Sequence, residues 1–183
     1  MDTTTLWQIA TPICGGIGFG LRYLWERYTD RKREAVQLAI EETKFRLEQF
    51  YMPIYFLLKQ EKHLWKHFRS KGEHTDEDFI KYDTKTLTLL REIQDIIKKN
   101  IVKARPTPKM SQLIVDFDEY VTVYKIMREI EPNGQRFGVP YPEDFLKHLR
   151  IRVRELGMHL NKLSEHIDKL SSDVIGKYDL DIV

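Results

Sequence analysis

Six histidines, one cysteine and 28 carboxylates are the side chains in this 183-residue sequence with chemistry to offer. His63 and His67 stand four apart and His74 follows them. On a helix that spacing puts two imidazoles on one face, where they can share a metal ion. The metalloprotease form of the pattern needs a glutamate directly after the first histidine. Here Leu64 and Trp65 follow His63, and Lys62 and Lys66 flank it, so surface histidines are expected and no metal. His148, His159 and His166 fall along a later segment, the last two beside a leucine seam where a half-exposed imidazole is ordinary. Two acidic groups recur: Asp76, Glu77 and Asp78 mark a helix start, and Asp116, Asp118 and Glu119 belong to the polar side of a helix. The glycine-rich stretch Gly15–Gly20 has neither the dinucleotide-binding spacing nor the lysine of a phosphate loop. No nucleophile elbow or cysteine–histidine arrangement occurs. The expectation is a protein with no catalytic residue and no cofactor.

The most unusual stretch is the first. From Thr3 to Leu21 there are 19 residues without a charge, roughly 28 Å of helix at about 1.5 Å per residue. A bilayer core is about 30 Å thick. Gln8, Thr11, Pro12 and four of the nine glycines make the stretch only moderately apolar. A cleaved signal would need a basic start, and only Asp2 precedes the apolar run. A buried core helix is the main competitor to a membrane anchor. The flanks favour the anchor. Trp7, Tyr23 and Trp25 fall where interfacial aromatics belong, and Arg22, Arg27, Arg31, Lys32 and Arg33 follow on one side only. The positive-inside rule then predicts a single-pass protein with its C-terminal bulk on the cytosolic side. Gly16 and Gly20 form a small-xxx-small pair through which two such helices can associate. Cys14 lies inside this stretch and is the sole cysteine, so no intramolecular disulfide is possible.

The rest reads as helices. Val36, Ile40, Thr43, Leu47, Phe50, Ile54 and Leu57 recur at alternating intervals of four and three, the heptad pattern of one buried seam. Pro53 is expected to kink or restart that helix. A third segment runs from about Glu77 to Lys103 behind a Thr75 or Asp76 cap, with Phe79, Thr86, Leu90, Ile93, Ile97 and Ile101 as its stripe. Thr107 and Pro108 look like a cap and first-turn proline for the next, which carries Leu113, Phe117, Val121, Tyr124 and Met127. A proline- and glycine-rich loop precedes a last helix that begins near Pro142 or Glu143. Its seam runs through Leu146, Leu149, Val153, Leu156, Leu160, Leu163, Ile167 and Leu170. The predicted fold is all-α: an anchor over residues 1–25, a bundle of four or five helices over 26–171 with long heptad-patterned first and last helices, and a polar tail over 172–183. The two long helices are expected to pack on each other, or as a coiled coil on further copies.

Around Pro53 the aromatics concentrate. Tyr51, Tyr55 and Trp65 are candidates for a partner surface, against the alternative of a bundle core at a kink. Lys147, Arg150, Arg152 and Arg154 form a short basic run that acidic headgroups or an acidic partner could meet. The stretch "FYMPIYFLLKQEKHLW", with an apolar segment before it and "YPEDFLKHL" after it, resembles a group of uncharacterised small proteins. They carry an N-terminal anchor and an F-Y-x-P-[IL]-Y-x-x-L motif. The resemblance covers about a third of the chain, implies an anchor with a helical domain, and brings no activity or site residues with it.

With a formal net charge of +2, the chain lacks the strongly basic balance of a nucleic-acid-binding domain. The function expected is a non-catalytic, membrane-anchored helical scaffold or tether, with a protein partner or copies of itself. One setting with that topology is a membrane-containing virus particle, where anchored proteins join the membrane to the shell. The alternatives are a pore-forming effector that perturbs membranes and a soluble helical module that binds protein or nucleic acid.

Overall fold

A computed structural model describes residues 3–130 and 141–178, with side chains over 22–130 and 141–170. The chain is all-α, and among the described residues there is no strand. Helix α1 spans Thr3–Arg46, a π-helical turn Leu47–Tyr51 joins it to α2 (Met52–Ser70), and α3 (Asp76–Ala104), α4 (Pro108–Ile130) and α5 (Glu143–Tyr178) follow. The proline-rich loop predicted before α5 falls mostly on 131–140, outside the described residues. Helix α5 continues to Tyr178, so the tail expected from residue 172 is helical for much of its length.

Pro53 does not break the helix. It widens it. Proline has no N–H for the carbonyl four residues back, and its ring crowds that carbonyl. The chain answers with one π turn, in which the Met52 N–H bonds the Leu47 carbonyl five residues back. The Gln49 carbonyl, which Pro53 cannot serve, accepts a hydrogen bond from Asn100 Nδ2 of α3 at 2.9 Å. The extra residue in the turn lets adjacent Phe50 and Tyr51 both enter the core. It also shifts the seam by one position. Upstream the seam runs Thr43, Leu47, Phe50; downstream it runs Tyr51, Ile54, Leu58, Glu61, Trp65, Phe68, and Leu57 is only partly buried. Replacing Asn100 with alanine is expected to cost about 1 kcal/mol, the net worth of one hydrogen bond. A lower urea midpoint with an unchanged slope would register it.

The remaining ends follow local rules. Thr75 caps α3 with a reciprocal box: its hydroxyl accepts from the Asp78 N–H, and the Asp78 carboxylate accepts from the Thr75 N–H. Thr107 Oγ1 accepts from the Met110 N–H at the start of α4. Arg105 ends α3 in the left-handed region at φ 46°.

Two compact units result, Met1–Glu41 with Asn161–Val183 and Glu42–Leu160. Helices α1 and α5 each contribute to both units. In the first unit Arg33 of α1 donates to the Leu170 carbonyl of α5 at 2.9 Å, which joins the first and last helices. In the second, Phe50, Ile54, Leu58, Leu90, Ile93, Phe117, Val121, Phe145 and Leu149 are almost wholly excluded from solvent. That core draws on the π turn and on α2 to α5. Among the described residues no helix is long and apolar enough to cross a membrane; Gln8, Thr11, Pro12 and the glycines dilute the leading stretch of α1.

Candidate functional site

The shifted seam of α2 places one charged residue where every neighbour on the stripe is apolar. Glu61 is 2 % exposed. Tyrosines from three other elements surround it: Tyr82 of α3, Tyr120 of α4, and Tyr141 just before α5. Burial is the main force on its carboxyl, and nearby Glu143 adds to it. Together they push the pKa from the usual 4.5 up to about 7, against the opposing pull of Tyr141 and Lys62. The Tyr141 hydroxyl donates to the Leu58 carbonyl at 3.2 Å. Glu61 Oε2 has no hydrogen-bond partner among the described residues. The tyrosines are held well above their usual range, chiefly by burial and next by the Glu61 or Asp83 charge.

A second buried polar group lies between α3 and α4. Asp83 pairs with Arg128 Nε at 2.9 Å, their side chains only 10 % and 8 % exposed. The Tyr124 hydroxyl donates to the other Asp83 oxygen at 2.8 Å. Burial still holds the Asp83 carboxyl above its ordinary range, against Tyr124 and Arg128. Desolvation therefore outweighs the pairing, as it does for many buried ion pairs. Glu61 and Asp83 are both buried among the core residues.

The open feature is a cleft of about 440 Å³ between α2 and the start of α5. Helix α2 contributes Lys59, Lys62, His63 and Lys66, and α5 contributes Lys147 and Arg150. Glu143 and Asp144 are the acids on its wall, and Tyr55 and Leu146 give it an apolar side. Lys62 Nζ binds both Glu143 oxygens at 2.7 Å. A neighbouring hollow is lined by Trp65, Arg69, Ser70 and Tyr141, with Lys62, Lys66 and Glu143 shared along the edge.

The structure redistributes the residues singled out from sequence. Tyr51 is not a partner surface: it is 1 % exposed, because the π turn rotates it into the core. Its ring meets Phe50 edge-on at 4.9 Å. Tyr55 lies on the cleft wall, and Trp65 is partly buried with its ring 5.8 Å from Tyr82. Of the predicted basic run, Lys147 and Arg150 reach the cleft, whereas Arg152 lies beside Tyr51 and pairs with Glu155. His63 is drawn into the cleft; His74 stacks on Phe68 at 3.8 Å. Among the described residues no group of three or more His, Cys, Asp or Glu is placed to hold a metal ion. Trp7, Gly16 and Gly20 lie outside the described side chains. Trp25 is exposed, Arg22 pairs with Glu26 at 2.9 Å, and Lys32 stands 4.5 Å over the Tyr28 ring. Arg27 and Arg31 are exposed as well.

Sequence reasoning missed Glu61, Asp83 and Arg128. The signal for Glu61 was present once the stripe is read from Tyr51 instead of Phe50. In comparisons with protein families, curated proteins and solved structures, nothing matches this chain.

Proposed function

We propose that the chain is a non-catalytic helical tether, anchored in a membrane by residues 1–25, with its bulk on the cytosolic side and a protein partner or further copies of itself as the assembly it holds. The observation that supports this most is the exposed run after the apolar stretch. Tyr23, Leu24, Trp25 and Tyr28 are each more than half exposed. Four large apolar side chains so close together are costly in water. At a membrane surface, rings with an apolar body and a polar tip are favoured. Arg22, Arg27, Arg31, Lys32 and Arg33 accompany them, as suits an anionic inner leaflet. Helix α1 is continuous from Thr3 through this run to Arg46. The polar residues that leave the leading stretch marginal as a lone span also suit association of several copies.

The test is carbonate extraction followed by flotation of the full chain, beside a chain lacking residues 1–25. Retention of the full chain alone is the expected result. A full chain that washes off in carbonate ends the anchor reading and leaves a helical interaction module whose exposed aromatic run docks a protein.

A further inference from the structure

We propose that the cleft between α2 and α5 is a binding site for a compact, ring-bearing phosphorylated anion, of the kind presented by phosphoinositide headgroups and by free inositol or sugar polyphosphates. Lys59, Lys62, Lys66, Lys147 and Arg150 face it against Glu143 and Asp144, a surplus of three positive charges before His63 is counted. Such a concentration of like charge is unfavourable while the cleft holds only water. Of the five cations, Lys62 alone has a carboxylate partner on the wall; Lys66, Lys147 and Arg150 pair with no described carboxylate. Two helices carry these groups, so the backbone positions that space them are set before any ligand arrives.

The shape narrows the ligand. A volume of about 440 Å³ exceeds one phosphate and suits a six-membered ring bearing two or three of them. Tyr55 and Leu146 offer an apolar wall for the ring face, while lysines and Arg150 meet the phosphates, Arg150 with a fork that can engage two oxygens at once. A nucleic-acid strand fits poorly. It requires a groove that tracks successive phosphates with several stacking rings, and this cleft is one compact hollow whose lining rings are Tyr55 and His63. The Lys62–Glu143 pair marks the adjustable point: a phosphate oxygen that takes Lys62 releases Glu143 toward solvent, where its side chain is already 62 % exposed.

This inference does not depend on the N-terminal anchor, and its measurement does not use membrane retention. The full chain in nonionic detergent is titrated calorimetrically with inositol trisphosphate, with unphosphorylated inositol as the control. Saturable binding of the phosphorylated probe alone is expected, weakening steeply with salt. The exposed double variant Lys66→Gln/Arg150→Gln is expected to bind about tenfold more weakly or worse, with unchanged circular dichroism. No saturable binding up to about 1 mM, the weakest range worth calling specific, overturns the proposal, as does an unchanged affinity in the double variant. Should that variant misfold, Lys147→Gln alone carries the same expectation in smaller measure. The source of the phosphate is then read in nanodiscs. If the full chain in discs containing phosphatidylinositol bisphosphate loses affinity for the soluble probe relative to plain phosphatidylcholine discs, the headgroup occupies the cleft. Equal affinity in both discs assigns the cleft to a soluble phosphate.

Discussion

Replacing Asp83 with alanine is expected to cost about 3–5 kcal/mol of folding stability, the usual penalty for breaking a buried ion pair from one side. The change leaves Arg128 inside the bundle without the carboxylate 2.9 Å from its Nε, and takes the acceptor from the Tyr124 hydroxyl. No water reaches either group to compensate, since both side chains of the pair are about nine-tenths buried. Against a total stability of about 5–15 kcal/mol for a small domain, a loss of that size is large. It should appear in a urea titration of the full chain, followed by far-ultraviolet circular dichroism, as a much lower midpoint.

The same geometry predicts a contrast. Burial already pushes the Asp83 carboxyl upward despite its partners, so the group as a whole gains little from being charged. Converting Asp83→Leu, Tyr124→Phe and Arg128→Met together removes the three described members of the network and leaves apolar groups of similar volume. That triple variant is expected to lie within about 1 kcal/mol of the parent or above it. What the parent network supplies instead is register. The pair fixes α3 against α4 at one position, whereas apolar contacts alone tolerate sliding. A triple variant as unstable as the single one would mean that the network is a net source of stability.

Much of the fold was legible in sequence because local rules govern it. The Thr75 box, the Thr107 cap with Pro108 and the seam of α5 each depend on residues a few positions apart, and each lies where spacing placed it. The π turn was not legible, because a periodicity argument assumes a fixed number of residues per turn. Pro53 announces trouble in a helix, yet a break and a widened turn satisfy its missing donor equally well. Only Asn100, far along the chain, decides between them. From that single residue of phase follow the misassignment of Tyr51 to the surface and the omission of Glu61. The Asp83–Arg128 pair and the cleft were hidden for a different reason. Each joins residues from separate helices, and the charge pattern of α2 or of α5 alone looks like an ordinary solvated face. Lys147 and Arg150 could be picked out as a basic run, but Lys59, Lys62 and Lys66 join them only after the helices are placed.

Glu61 should make the protein less stable as pH rises through neutrality. Its folded-state pKa of about 7 lies above the usual 4.5, so between those values the native state holds a proton that the unfolded chain has released. Stability then falls with increasing pH. Below about pH 4.5 both states are protonated and the group exerts no penalty; above about 7 the penalty is complete. Two and a half units correspond to about 3 kcal/mol. The groups facing Glu61 are Tyr82, Tyr120 and Tyr141, raised out of this range, together with the Lys62–Glu143 pair. Every group that parent and variant share cancels when a Glu61→Gln variant is compared with the parent at each pH. Glutamine keeps the shape and a polar end without the charge, as protonated glutamate does. Parent and variant should therefore be equally stable near pH 4.5, with the variant ahead by about 2–3 kcal/mol at pH 8. A difference that stays flat from pH 4.5 to 8, or a variant that is the weaker one at pH 8, would show that Glu61 is charged in the folded protein.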